Sequence, residues 1–260
     1  LEKIALKFDL TEEVAEMFYS SLAIYAKLLK FTEADYVFAP KVDLWDTLIE
    51  QMLVQKRALN EVVETREHAL ACAKTVADRY RCNYEHANFL METACMIFDK
   101  IKTLHGLNPS YKLLLEIAAI LHDCGYFINS KHHLNSNVDI VKYTDIYGLT
   151  DKTTLITAYI SRFAESETPN YRDAEFASLK GSEKIIALKL AAIFRLAYSL
   201  DKSQKQKLQS VKVRLDEDKF IITAKSDSNT RLEHWAFEKC SAFFQEVFGV
   251  QPVLTVKSSL

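Results

Sequence analysis

Two stretches of this sequence constrain its fold more than any other feature. Residues 113–121 are apolar on nearly every side of a helix, and residues 185–200 are almost as apolar. Helices of this kind are buried on most of their faces. The chain has only five Gly and four Pro, roughly a third of average usage, so few turns interrupt its elements. The sequence therefore predicts a mainly α protein, a multi-helix bundle built around these two stretches.

The pattern of apolar residues divides the chain into three predicted domains, residues 1–52, 53–206 and 207–260. Thr11 is the predicted N-cap of an opening helix, and Tyr36-Val37-Phe38 reads as one short strand. Because a lone strand forms no stable sheet, residues 1–52 are interpreted as the truncated end of a larger α/β domain. Helices are then predicted at about 44–79, 84–105, 110–123, 135–146, 151–164 and 183–200, with breaks near Gly106, Gly125, Gly148 and Gly181.

The last predicted domain changes character. Apolar residues alternate with charged ones at 211–215, which is typical of a half-buried strand. A return strand at 220–223, a helix after Thr230 and a third strand at 253–256 follow. The sequence thus predicts a small C-terminal β-β-α-β unit.

Charge and composition exclude some partners. The net charge is −2, which gives no overall basic field for nucleic acid. No apolar run is long enough to span a bilayer, so no membrane partner is expected. The five Cys are scattered without framework spacing, which is typical of a reducing cytoplasm.

His122 and Asp123 place an imidazole and a carboxylate at the end of the first apolar stretch. Buried ionisable groups are costly unless they are paired or bind a metal, and these two ligand types suit a divalent metal that activates water at phosphorus. The alternative is a helix-end pair that bonds nearby backbone. His86 lies 36 residues earlier, near the start of another helix. This order resembles the HD superfamily of phosphohydrolases, in which a final Asp on a later helix completes the metal site.

A more specific resemblance lies in the segments His105-Gly106-Leu107, Ala118 to Ile128, His132-His133 and Leu196 to Ser203. Together they resemble the C-terminal half of the exopolyphosphatase and guanosine pentaphosphate phosphohydrolase family (Ppx/GppA). The resemblance extends to residues 35–52, which are similar to the end of that family's actin-like domain, and to the terminal β-β-α-β unit. It therefore covers essentially the whole chain and implies an HD-like bundle at its centre.

The resemblance also implies how the intact protein works. Such a protein removes terminal phosphate from polyphosphate or guanosine pentaphosphate, with magnesium and the catalytic carboxylate in the actin-like half, and forms a homodimer. Most of that half is absent from this chain, and five Gly leave little for a phosphate loop. No residue here is therefore predicted to be catalytic.

The candidate metal site departs from the family pattern. Tyr198 stands where the family has an Asp, and Asn135 and Ala164 stand where it has His. Asp201 lies one helical turn beyond Tyr198 on roughly the same face. It is a candidate to substitute in part for the missing Asp, although the family keeps an Asp at that position as well. His86, His122 and Asp123 remain as the predicted metal ligands. Three ligands suit one metal with open positions but not a pair of metals, so no HD turnover is expected, and binding of a divalent metal is left open.

Six cationic residues are candidates for binding a polyanion such as polyphosphate through charge-assisted contacts. They are Lys131, His132, His133, Arg162, Arg195 and Lys202. The alternative is a solvated loop with ordinary salt bridges.

Two further residues lie near the His-Asp motif or imitate it. Cys124 directly follows Asp123 and is interpreted as a small buried filler. His68 imitates the first HD histidine, but His86 matches better, so His68 is predicted to lie on the surface.

Three hypotheses for function follow. In the first, the chain is the C-terminal part of a Ppx/GppA-type phosphatase, binding polyphosphate and helping dimerisation without turnover of its own. In the second, it is a diverged regulatory module that binds an anionic ligand or a partner. In the third, it is an active metal-dependent HD phosphohydrolase. The length of the reading frame upstream of Leu1 separates the first two.

Overall fold

The computed structural model describes residues 7, 11–32, 60–165 and 173–258 of the chain. Its helices are α1 (Glu12–Thr32), α2 (Asn60–Arg79), α3 (Tyr84–Lys100), α4 (Lys102–His105), α5 (Lys112–Leu121), α6 (Cys124–Ile128), α7 (His133–Lys142), α8 (Asp151–Glu165), α9 (Ala174–Ser178), α10 (Gly181–Ser199) and α11 (Arg231–Phe248). Its strands are β1 (Gln209–Asp216), β2 (Lys219–Lys225) and β3 (Gln251–Lys257), and Pro109–Tyr111 forms a 3-10 turn. The prediction of a mainly α fold with a small terminal β unit is confirmed.

The chain divides into two compact units, residues 1–58 and 59–260. Helix α1 is the described part of the first unit. The predicted N-cap Thr11 precedes it, and the Thr11 carbonyl accepts a hydrogen bond from the Ala15 amide at 2.9 Å. The predicted strand Tyr36-Val37-Phe38 lies outside the described residues.

The core of the second unit forms around the two apolar stretches. Leu115 on α5 and both Leu190 and Phe194 on α10 have no exposed surface. Helix α8 packs against α10, α7 and α5, and α3 packs against α5 and α10. Because α5 and the second half of α10 have few polar residues to present to water, they occupy the centre of the bundle, as the sequence predicts.

Helix boundaries differ from the prediction at several places, among them the helix predicted at 135–146, which spans His133–Lys142. The predicted helix 84–105 is interrupted at Ile101, where φ is −101° and ψ is 25°. The helix predicted to end at Asp123 stops at Leu121, and α6 begins at once, with the predicted breaker Gly125 inside it. Helix α9 was not predicted, because five residues are too few to show a helical period.

The C-terminal sheet has the order β1-β2-β3, with β1 antiparallel and β3 parallel to β2. A parallel neighbour needs a crossover connection, and α11 supplies it. Phe220 on β2 and Phe244 on α11 stack with ring centroids 5.4 Å apart. These side chains belong to the same hydrophobic cluster as the α3, α5 and α10 core, so sheet and bundle share one interior.

Across the part of the chain that the structure describes, no helix combines the length and the apolar character needed to cross a membrane.

Candidate functional site

The structure brings the three predicted ligands His86, His122 and Asp123 together inside the bundle. One ligand atom from each lies within 4.8 Å of the other two. The side chains of His86 and His122 are 0% and 5% exposed, and that of Asp123 is 11% exposed. The cluster is therefore shielded from water, and Asp123 lies nearest to the surface.

Three short stretches of backbone place these side chains. Asn83 caps α3, its side chain accepting hydrogen bonds from the Glu85 and His86 amides, so His86 lies in the first turn of that helix. His122 is the C-cap residue of α5, and Asp123 follows it at the junction with α6. The apolar stretch 113–121 buries α5, and this carries the two polar residues at its end into the core.

Both imidazole rings are held through Nδ1. The His122 Nδ1–H donates to the Ala119 carbonyl at 2.8 Å. His86 Nδ1 lies 2.7 Å from Asp201 Oδ2, and both of these side chains are completely buried. A carboxylate or carbonyl partner fixes a proton on Nδ1 and directs Nε2 toward the cluster.

The ring nitrogens and the carboxylate oxygen that make no hydrogen bond are the atoms that a metal would use. His86 Nε2, His122 Nε2 and Asp123 Oδ1 are buried and have no hydrogen-bond partner among the described residues. His122 Nε2 and Asp123 Oδ1 lie 3.1 Å apart, but without the alignment of a hydrogen bond. Buried polar atoms are rarely left without a partner, so these three form a consistent ligand set for one divalent cation.

Asp201 does not point its carboxylate at the cluster as a fourth ligand. Besides His86, it accepts hydrogen bonds from the Lys205 and Gln206 amides at 3.0 and 2.7 Å and from Gln206 Nε2 at 2.6 Å. A carboxylate held on both oxygens keeps one orientation. Asp201 is therefore a positioning residue for His86, a role that the sequence did not indicate.

Tyr198 fills the position at which the resemblance implies an Asp. Its ring centroid lies 5.7 Å from that of His86 and 5.8 Å from that of His122. The Tyr198 hydroxyl donates to Glu165, and burial together with that carboxylate raises the pKa of the phenol well above its ordinary value. A neutral phenol thus takes the place of an anionic ligand.

Charge within the cluster is set by the neighbouring groups. Burial alone lowers the pKa of His122, but the carboxylate of Asp123 outweighs it, and the pKa lies above its usual value. Burial alone raises the pKa of Asp123, but the His122 imidazolium outweighs it, and the pKa lies below its usual value. The Asp123 carboxylate is therefore ionised, and a cation bound at His122 Nε2 would displace the proton that this carboxylate favours there.

Asp123 opens onto a surface cleft of about 560 Å³, lined by Tyr80, Arg81, Cys82, Asn83, Asp123, Tyr126, Phe127 and Gln204. Gln204 Nε2 donates to Asp123 Oδ2 at 3.0 Å. Arg81 is exposed at φ +54° and makes no ion pair within the described ranges. Arg81 was not among the predicted site residues, because nothing in the sequence distinguishes it from other exposed arginines.

The six predicted polyanion-binding residues do not form one surface. Lys131 and His132 are exposed in the loop after α6. His133 Nε2 and Lys202 Nζ both approach Glu165, at 3.1 and 3.9 Å.

The two arginines of the predicted set lie elsewhere. Arg162 Nη1 pairs with Asp173 Oδ2 at 2.8 Å. Arg195 is 6% exposed, with its guanidinium carbon 5.6 Å from the Phe243 ring centroid. Arg195 thus contacts the C-terminal helix rather than the loop, which leaves Lys131 and His132 as the exposed members of the set.

Cys124 and His68 lie where the sequence predicts them. Cys124 has no exposed surface, and its Sγ lies 3.1 Å from Cys82 Sγ. His68 is exposed and contacts the Tyr147 ring edge-on.

Comparison with known proteins gives one family. The family model described as Ppx/GppA phosphatase, domain III, matches residues 70–239, a range that holds all three candidate ligands and Asp201. A search of curated proteins finds no match.

Proposed function

Because the chain belongs to the Ppx/GppA phosphatase family through its domain III, we propose that it is the part of such a phosphatase that binds polyphosphate. We also propose that its buried site holds one divalent metal ion and does not itself hydrolyse polyphosphate. The observation that carries this proposal is the convergence of three buried ligand atoms, on His86, His122 and Asp123, that make no hydrogen bond among the described residues. The homodimer, the magnesium and the alternative ligand guanosine pentaphosphate remain proposals that rest on the family.

A bound cation explains why these polar atoms tolerate burial. An unsatisfied buried polar atom costs about 1–3 kcal/mol. His86 Nε2 has no hydrogen-bond partner among the described residues, and His122 Nε2 and Asp123 Oδ1 contact only each other, at 3.1 Å. Imidazole nitrogens and a carboxylate oxygen fit zinc, iron or manganese. A cation there would supply positive charge and cross-link α3 to the α5–α6 junction. Asp201 and the Ala119 carbonyl hold the protons on Nδ1, so both histidines present Nε2.

Tyr198 supports a site without turnover. A pair of metals needs more carboxylates than Asp123 alone, and the nearest acidic side chains are engaged: Asp201 with His86 and Glu165 with Tyr198. The Tyr198 ring also occupies the space beside both histidines.

Exposed cations near the cleft support polyphosphate binding. Arg81 lines the cleft, and Lys131 and His132 follow α6, whose Tyr126 and Phe127 line it as well. Guanidinium and ammonium groups bind phosphate oxygens by charge-assisted hydrogen bonds. Because these side chains are exposed, they can contact an extended anion without any rearrangement of the core.

Equilibrium metal titration tests the metal site. Protein stripped by a chelator should bind one equivalent of zinc or manganese, measured by calorimetry and elemental analysis. His122→Ala should lose that equivalent, whereas the matched variant His68→Ala, which removes an exposed histidine, should keep it. Binding that survives His122→Ala would show that the metal lies elsewhere.

A second experiment tests polyphosphate binding and turnover. Labelled long-chain polyphosphate should bind the chain, and Arg81→Ala and Lys131→Ala should each weaken binding, while the exposed Lys225→Ala serves as a control for loss of charge. Equal affinity for all four proteins would remove the cleft residues from the proposal. Phosphate release at about 1 per second or more would contradict a domain without turnover.

A further inference from the structure

Cys82 and Cys124 form a pair of thiols beside the candidate metal site. Their Sγ atoms lie 3.1 Å apart, although 42 positions separate them in the chain. Cys82 lies in the turn between α2 and α3 and lines the cleft. Cys124 opens α6 and has no exposed surface.

The other cysteines lie apart from this pair. All five belong to the described residues, and all are free thiols. Cys95 contacts the Glu116 carboxylate. Burial raises the pKa of Cys240, and the opposing effect of Arg195 is smaller. Among the contacts that the structure describes, Cys82 with Cys124 is the one in which two sulfurs meet.

We propose that Cys82 and Cys124 form an oxidisable dithiol, a modification site that a hydroperoxide converts into an intramolecular disulfide. The sulfurs need to approach by only about 1 Å to reach the bond length of about 2.05 Å. Cys82 lines the cleft, so a small oxidant reaches its sulfur first. Cys124 Sγ is already in contact with that sulfur and can attack the oxidised Cys82 to form the disulfide.

The chemistry balances with one peroxide for each pair. The Cys82 thiolate attacks one peroxide oxygen, the O–O bond breaks, and Cys82 becomes a sulfenic acid as hydroxide leaves and takes a proton. The Cys124 sulfur then attacks Cys82 Sγ, forms the S–S bond and expels the sulfenic oxygen as water. Two thiols lose two electrons and two protons in total, and the peroxide becomes two waters.

The position of the pair gives this modification a structural consequence. The turn that carries Cys82 leads, four residues later, into His86, and Cys124 directly follows Asp123. A disulfide would therefore join covalently the two segments that present the candidate ligands. The inference does not depend on bound metal, because the thiol contact exists between the protein's own side chains.

Thiol counting on the chelator-treated chain tests the proposal. With stoichiometric hydrogen peroxide, titratable thiols in denaturant should fall from the five of the sequence to three, and dithiothreitol should restore five. Peptide mapping should find one link, between the peptides that contain Cys82 and Cys124. Non-reducing electrophoresis should show a monomer throughout.

Two serine variants separate this pair from general oxidation. Cys82→Ser removes the half-buried partner and should keep all four of its thiols under the same dose. The matched variant Cys72→Ser, which removes another half-buried cysteine, should fall from four thiols to two. Loss of two thiols in Cys82→Ser, a link between other cysteines, or five thiols that persist in the unsubstituted chain would overturn the proposal.

Discussion

Gly125 lies where α6 passes closest to the start of α7. A Cβ at this position would lie 2.0 Å from the His133 carbonyl oxygen and 2.8 Å from the Asn137 amide nitrogen. Both are backbone atoms, so no side-chain rotation can relieve the overlap. The residue after Cys124 must therefore be glycine for α6 to pack against α7 as it does.

Gly125→Ala should lower the free energy of unfolding by about 1–3 kcal/mol, the range of overpacking substitutions. Urea denaturation followed by circular dichroism measures the change. Gly181→Ala is the matched control, because a Cβ there meets nothing within 4 Å. A similar free energy for Gly125→Ala and Gly181→Ala would contradict the close contact of α6 with α7.

Asp201→Asn should weaken metal binding about 10- to 100-fold, the usual effect of changing the partner of a ligating histidine. The amide still fits the space but no longer supplies the negative charge that holds the His86 Nδ1–H. Calorimetric titration measures the affinity, with the exposed Asp216→Asn as the control. If Asp201→Asn kept the original affinity while remaining folded, its assigned role as a positioning residue would be wrong.

The sequence identifies the metal-ligand candidates better than their partners. His86, His122 and Asp123 follow a recognisable order along the chain, so their meeting could be predicted. The contact of His86 with Asp201 spans 115 positions, and nothing in the spacing says which ring nitrogen the carboxylate meets. Only the folded arrangement separates a positioning residue from a ligand.

At the scale of elements, α9 depends on one carboxylate. Asp173 caps the helix by accepting from the Glu175 and Phe176 amides, and it also accepts from the Tyr159 hydroxyl and pairs with Arg162. Burial alone raises the pKa of Asp173, but these partners outweigh it and hold the pKa below its ordinary value of 3.8.

Asp173 should therefore contribute stability that depends on pH. Its folded pKa is lowered, so the contribution is complete above the unfolded pKa, about 3.9, and is lost as the pH falls through the folded pKa. Urea unfolding at pH 7 should show Asp173→Asn less stable than the original chain, with a difference that shrinks below about pH 4. A difference that stays constant or grows on acidification would contradict this assignment.

The sequence predicts long helices with a regularly spaced apolar face well, and it predicts short elements poorly. The helices around residues 84–100, 151–165 and 181–199 were predicted within a few residues, because each buries a regular face. The break at Ile101 and the separate α6 follow from packing against neighbours, which a single sequence does not contain. The resemblance to the Ppx/GppA family did not predict these two features either, although the family match confirms the resemblance itself.

At the scale of the molecule, the helical bundle and the C-terminal sheet behave as one packing unit. The sequence places a boundary near residue 207, where helical periodicity gives way to alternation. The hydrophobic cluster nevertheless continues from Leu190 on α10 to Phe244 on α11. The spacing of apolar residues indicates whether a segment is a helix or a strand, but not which surface that segment packs against. The shared interior of the bundle and the sheet could therefore not be predicted from the sequence.

Phe244→Ala should therefore destabilise the bundle as well as the sheet. Loss of a fully buried phenylalanine costs about 3–5 kcal/mol, and Phe244 has no exposed surface. With Trp45 replaced by Phe, so that Trp235 on α11 is the fluorescent reporter, helical circular dichroism and tryptophan fluorescence should report one coincident unfolding transition, shifted to lower urea. Leu232→Ala, at a 43% exposed position, is the control. Two separated transitions would indicate that residues 207–258 fold independently.

Anomalous diffraction from crystals grown with zinc or manganese would test the central claim most directly. We predict a single anomalous peak bounded by His86 Nε2, His122 Nε2 and Asp123 Oδ1, at about 2.0–2.2 Å from each, with Asp201 still bonded to His86 Nδ1. A metal-soaked crystal with no peak at these three atoms, or with its peak held by other residues, would contradict the account.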